Sequence, residues 1–145
     1  MKSGRRYLAA ALLVFAAVTA MAQAKMQKNV ASTTAKFGAV SKTDDAYTKA
    51  LDAHDLQGAL KLVDQPGAFK GTVSQVYEGR DIVIFDFDRD YKTALTAVIK
   101  TADFSKFPDV HTLDGKELLV SGKFINYQGK GEIELTDPAQ INIIK

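Results

Sequence analysis

The sequence predicts a small, mainly β protein: a closed five-stranded barrel with an N-terminal helix, preceded by a signal peptide. Three observations lead there. Over residues 67–145, apolar and polar residues alternate in short runs broken by Gly, Asp and Pro, the period of two that half-buried strands require. Residues 44–63 follow the helical period instead. There Tyr47, Ala50, Leu51 and His54 share one face, and Leu56, Ala59, Leu60 and Val63 continue it. Ahead of both lies a stretch with the three-part pattern of an export signal.

Lys2, Arg5 and Arg6 open that signal, residues 1–24. An apolar run over 8–21 follows with only Thr19 interrupting, and Ala22-Gln23-Ala24 supplies the small-x-small site that a signal peptidase cuts. The apolar stretch 8–22 is 15 residues long, short of the ~20 that span a bilayer. Cleavage after Ala24 is therefore expected, giving a periplasmic or secreted bacterial protein with no integral membrane span. The chain has no cysteine, which excludes a lipobox anchor and disulfides alike. Of 19 Lys+Arg and 17 Asp+Glu, cleavage removes Lys2, Arg5 and Arg6 and no acid, leaving 16 against 17, net −1. The basic excess that marks a non-specific polyanion binder is missing. About 120 residues remain, one domain's worth with a modest core.

Residues 25–43 (KMQKNVASTTAKFGAVSKT) are rich in Ser, Thr, Ala and Lys without a sustained period. They read as a flexible leader in which Phe37 and Val40 touch the fold. The helical segment, 44–66, has Thr43 or Asp44 as its N-cap. Asp55 caps a second turn if the helix breaks near His54, and Pro66-Gly67 ends the segment.

The barrel, 67–145, begins with strands over 68–77, 81–88 and 93–100, the first two joined by the turn Glu78-Gly79-Arg80-Asp81. In the second, Val83, Phe85 and Phe87 share a face. Ile82 and Ile84 share the other, which turns acidic at Asp86 and Asp88. One helical turn at 101–107 is closed by Pro108. Strands follow over 116–127, where Leu118, Val120, Gly122 and Phe124 line a face, and over 132–136, with Ile133 and Leu135 inward. A last short strand or barrel-closing segment is expected over 139–144. Gly71 and Gly122 lie inside strands, where a small barrel needs bends and close backbone approach. Three strands, a short helix and two strands, bent in this way, give the order of the oligonucleotide/oligosaccharide-binding (OB) fold, a five-stranded Greek-key barrel.

Residues 67–145 also resemble the small OB-fold domains of the tRNA-anticodon-binding-like type, which occur beside nuclease domains in bacterial proteins. GAFKGTVSQVYEG, DYKTALTAVIKTADFSKFPD and LDGKELLVSGKFINYQGKGEIELTDPAQINII carry the resemblance. The last is the most specific: GK before a strand, V-x-G-K within it, Y-x-G-K at the turn, then E-I-x-L and P-x-Q-I. The resemblance implies an accessory role in binding nucleic acid. Stand-alone OB domains of the bacterial envelope, some of them stress-related, are the other class this chain is similar to. The barrel itself carries 10 basic and 12 acidic residues, net −2.

OB barrels bind across strands two and three, between the first and last hairpins. Tyr77 and Arg80 fall at the first hairpin and Tyr127, Gln128 and Lys130 at the last, with Lys100 and Lys123 adding charge nearby. Aromatic planes beside cations hold single strands by stacking, each base contributing ~1–3 kcal/mol. The expected function is thus an exported, non-enzymatic binding module for an oligonucleotide. The alternative partners are an envelope protein, a glycan or a small cationic ligand, which the net acidity favours.

Asp86, Asp88 and Asp90 alternate as ligands of a hard cation do. Tyr91 stands at the EF-hand glycine position, however, and Ala97 at the glutamate position. A polar strand end with Arg89 and Lys92 as partners is the expectation. His54 and His111, the only histidines, are too few for a zinc site without cysteine. No glycine cluster opens a helix, and nothing around Ser74 resembles a nucleophile elbow. No catalytic residue, metal or cofactor is expected.

Overall fold

The computed structural model describes residues 34–145. The expected signal peptide, its expected cleavage site after Ala24 and the first part of the expected leader lie outside the described residues. The chain is mainly β. Its elements are β1 (Gly38–Val40), α1 (Asp45–Lys49), β2 (Leu51–Asp52), α2 (Leu56–Lys61), β3 (Pro66–Thr72) and β4 (Gln75–Glu78). After these come β5 (Ile82–Asp86), β6 (Thr96–Lys100), β7 (Glu117–Tyr127), β8 (Lys130–Glu134) and β9 (Ile141–Ile144). Short 3-10 turns at Tyr91–Thr93, Thr101–Lys106, Val110–Leu113 and Pro138–Gln140 fill the connections. The strands form a curled, half-barrel sheet in the order β1-β9-β7-β8-β6-β5-β4, with β3 paired to β7 and β2.

Strand β7 organises the sheet. Its first half, 117–123, runs antiparallel to β3, with β9 on the opposite edge at 118–120, and its second half, 124–127, runs antiparallel to β8. The halves meet at Gly122, whose φ is +156°. A Cβ there would lie 2.6 Å from Gln140 Nε2 and 2.9 Å from Ile133 Cγ2. That amide is needed where it stands. Nε2 of Gln140 donates to Ser121 O at 3.0 Å, while its Oε1 accepts from the backbone N–H groups of Thr136 and Asp137 at 2.8 and 3.0 Å. Glycine is the residue that leaves room for it.

The alternation read from the sequence fills the core. Val83, Phe85 and Phe87 are buried, as are Leu118, Val120 and Phe124 of β7 and Ile133 and Leu135 in and after β8. Phe69 meets Phe87 edge-on at 5.0 Å between ring centres and lies 6.4 Å from Phe124. Each buried aromatic of this kind stabilises the fold by roughly 1.5–3 kcal/mol through area burial alone.

The strand expected over 93–100 starts at Thr96, after a 3-10 turn, and the one expected over 132–136 runs Lys130–Glu134; three larger expected boundaries are also corrected. The helix over 44–63 is two helices, α1 and α2, because the sheet captures the chain between them. Leu51 and Asp52 pair in parallel with Phe69 and Lys70; Ala53 N–H donates to Lys70 O at 2.8 Å, and Ala53 O accepts from Leu95 N–H at 2.7 Å. Local bonds complete the break: Asp52 Oδ1 accepts from His54 N–H at 2.8 Å, and Asp55 caps α2 by accepting from Gly58 N–H at 2.9 Å. The described part of the leader is an edge strand, since β1 pairs in parallel with β9 and Phe37 packs against the core. The strand over 68–77 is divided into β3 and β4, because the chain changes partner there. Val73 N–H donates to Lys116 O at 2.9 Å and Ser74 N–H to Asp86 O at 2.8 Å. Among the described residues no helix is long and apolar enough to cross a membrane.

Candidate ligand-binding groove

Strand register places side chains in rows across β4, β5, β6 and β8. One row runs Gln75, Asp86, Thr96, Glu132, and the next runs Tyr77, Ile84, Val98, Glu134. Over part of this surface opens a groove of about 650 Å³. Asp86, Thr96 and Glu132 floor it with Ile84, while Tyr77, Tyr91 and Tyr127 stand round it and Leu56 of α2 closes one side. The β7–β8 turn sets the last rim position. Gln128 and Gly129 have φ of +53° and +84°, the signature of a two-residue type I′ hairpin, and Tyr127 and Lys130 face each other across it. Tyr91 enters from the turn Tyr91–Thr93, which starts where Asp90 accepts from Lys92 N–H.

The rim is rich in exposed aromatic rings. Tyr77, Tyr91 and Tyr127 are 50, 57 and 55% exposed, and they are the large hydrophobic residues exposed among those described. Apart from Ile84 the floor is polar, with Thr96 and Glu132 buried and Asp86 half-buried. Glu132, only 8% exposed, accepts from Thr96 Oγ1 at 3.1 Å. Burial pushes its carboxyl above the usual range, with the Thr96 bond and the charge of Lys130 opposing. Burial pushes Asp86 up as well, against the attraction of Lys130. Lys130 is lowered by the same desolvation, although Asp86, Glu132 and Asp90 act to raise it. Its ammonium donates to Tyr91 O at 2.6 Å and lies 5.6 Å from the centre of the Tyr91 ring; that of Lys92 lies 5.9 Å from it.

Three of the six predicted site residues, Tyr77, Tyr127 and Lys130, come together here. The other three lie outside the lining. Lys100 ends β6 in an ion pair with Glu134 at 3.0 Å. Lys123 stands on the β3 side of the β7 bend, 3.9 Å from Asp64. Arg80 is exposed in the β4–β5 turn. Sequence reasoning missed Tyr91 and Glu132. A register for β5, β6 and β8 would have found the latter, because it sets Asp86, Thr96 and Glu132 side by side.

The three alternating aspartates diverge. Asp86 faces the groove, Asp90 caps a turn, and Asp88 Oδ2 lies 2.9 Å from His54 Nε2, so its partner is His54 rather than Arg89 or Lys92. The other ring nitrogen of His54 lies 3.0 Å from Asp52 Oδ1. The bonds to Asp88 and then Asp52 raise the imidazole above its ordinary value. His111 Nε2 lies 2.8 Å from Glu78 Oε2. No group of three or more metal-ligating side chains gathers among the described residues.

What the fold and groove define together is a β-rich half-barrel with an aromatic-rimmed cleft on its curled face. No protein-family model matches the chain, and no curated protein matches its sequence.

Proposed function

We propose that the chain is an exported, non-enzymatic binding module of the OB class, which holds a ring-bearing oligomer by stacking on the tyrosines of this groove. The pairing path supports the OB reading. If β3 and β4 count as one bent strand, the path runs β3/β4, β5, β6, β8, β7 and back to β3. That path follows the strand order expected of a five-stranded Greek-key barrel, with β1, β2 and β9 as additions to the half-barrel. The groove then lies on the strand-two and strand-three face beside the last hairpin, where OB barrels take their ligands.

The observation that carries the function is the grouping of Tyr77, Tyr91 and Tyr127, exposed together around a polar floor. An exposed aromatic cluster is costly to leave in water and suits a ligand that brings flat apolar faces. Both oligonucleotides, which the family resemblance favours, and oligosaccharides have such faces. Isotope-labelled protein titrated with a pool of single-stranded hexanucleotides and a pool of neutral hexasaccharides tests the reading. Amide shifts should cluster around Tyr77, Tyr91 and Tyr127 for at least one pool. Shifts confined to other faces, or none at millimolar ligand, would refute it.

A further inference from the structure

Resting on that reading, the charge distribution of the groove narrows its occupant to one chemical class: we infer that it takes an uncharged oligosaccharide. The four ionisable side chains that line it besides the tyrosines are Asp86, Glu132, Lys92 and Lys130, two of each sign. A single-stranded nucleic acid gains most of its affinity from cations that displace its counterions. Here each phosphate brought over the floor meets Asp86 and Glu132 as well as Lys130. A polycation meets the reverse obstacle, because the ammoniums of Lys92 and Lys130 already occupy the space around Tyr91.

A sugar hydroxyl both donates and accepts, so a floor presenting both kinds of group satisfies it. Glu132 uses one oxygen on Thr96, and the carboxylate of Asp86 has no hydrogen-bond partner among the described residues. Lys130 and the amide of Gln128 supply donors at the hairpin end. A pyranose also carries a patch of C–H groups on its ring face, which an aromatic platform covers while leaving the hydroxyl edge free. Three platforms around one cleft suit successive rings of a chain. The cleft's volume lies within the ~300–1,000 Å³ usual for small-ligand sites, which favours a short stretch of sugars.

The test is a calorimetric titration of the protein with cellohexaose, chitohexaose and maltohexaose, with hexathymidylate and spermine as the charged comparisons. At least one neutral sugar should bind with the same affinity in low and high salt, because no counterions are released. Tyr127→Ala should weaken that binding roughly tenfold or more, as loss of a stacking anchor does. Glu132→Gln should weaken it without lowering the melting temperature, since the amide oxygen can still accept from Thr96 and the buried charge is removed. If hexathymidylate binds and no neutral sugar does, the sugar assignment is wrong and the stacking groove stands; if spermine, which has no ring to stack, is the only probe that binds, both readings fall. If no probe binds, or sugar binding ignores the tyrosine substitution, both readings fall together.

Discussion

Tyr47 and Tyr91 each have a lysine ammonium over the ring, at 4.2 and 5.6 Å from its centre, yet their surroundings differ in kind. Around Tyr47 the polar groups answer one another. Its hydroxyl donates to Glu117 Oε1 at 2.9 Å, Lys42 approaches Glu117 Oε2 at 3.1 Å, and Lys70 donates to Tyr47 O at 2.9 Å. Burial pushes the Glu117 carboxyl up, but the bonds from Tyr47 and Lys42 outweigh it and hold the group below its usual range. In the groove the balance is opposite: burial lifts Asp86 and Glu132, and their neighbours do not compensate. Tyrosine, lysine and carboxylate thus make a closed staple at one end of β7 and an open site at the other. Ionisable groups left unmatched in a cleft are the commoner mark of function; matched ones mark structure.

Substitutions can break or sharpen that contrast. Phe85→Ala should have the largest effect, because its ring is buried on the face of β5 opposite the groove residues Ile84 and Asp86 and belongs to the core that supports both regions. A loss of roughly 3–5 kcal/mol is expected, read as a lower urea midpoint. Gly122→Val acts at the bend of the strand that carries Glu117 at one end and Tyr127 at the other. It should cost about 1–3 kcal/mol by overpacking against Gln140 and Ile133; a variant of wild-type stability in the same melt would show that the bend is not constrained.

Single hydroxyls and rings then separate the two regions. Tyr47→Phe removes the bond to Glu117 and should cost about 0.5–1.5 kcal/mol of stability, with ligand affinity unchanged. Tyr127→Ala should do the reverse, staying within about 0.5 kcal/mol of wild-type stability while losing affinity. Thermal melts and titrations of the two variants side by side check this, and matching behaviour would erase the distinction. The smallest effect concerns His54. Because its pKa is raised in the folded state, its stabilising contribution is complete below the ordinary imidazole value of ~6.5 and is lost as pH rises through the raised one. Asp88 and Asp52 are lowered, Asp88 chiefly by the His54 side chain and Asp52 chiefly by the His54 backbone N–H, so their share disappears only in stronger acid. His54→Gln should flatten the near-neutral part of the stability–pH curve; an unchanged slope would show that the bridge is idle.

Where pattern is local, the sequence disclosed the fold. Val83, Phe85 and Phe87 announce their strand by parity alone, and Asp55 announces the start of α2. What escaped depends on distant partners. Leu51 and Asp52 look helical until Phe69 and Lys70 lie beside them. Gly38, Ala39 and Val40 carry too little signal to suggest a strand until β9 arrives. For the groove, YQGK marks a turn that keeps Tyr127 and Lys130 close, but only the pairing of β7 with β8 sets them opposite one another, and Tyr91 sits in a turn that reads only as polar. Lys100 and Lys123 have the right charge, but ion pairs turn them to other tasks, which linear sequence does not reveal.

The β1–β9 pairing also has a kinetic consequence. Gly38 meets Asn142 across 104 positions of chain, while Tyr127 meets Lys130 across three. The β7–β8 hairpin can close within about 1–10 μs. Zipping β1 onto β9 must wait for a loop of nearly the whole described chain, so folding of this topology belongs in the slow millisecond-to-second regime. Only three residues of β1 hold that seam, and its backbone amides should be the first in the sheet to exchange with deuterium.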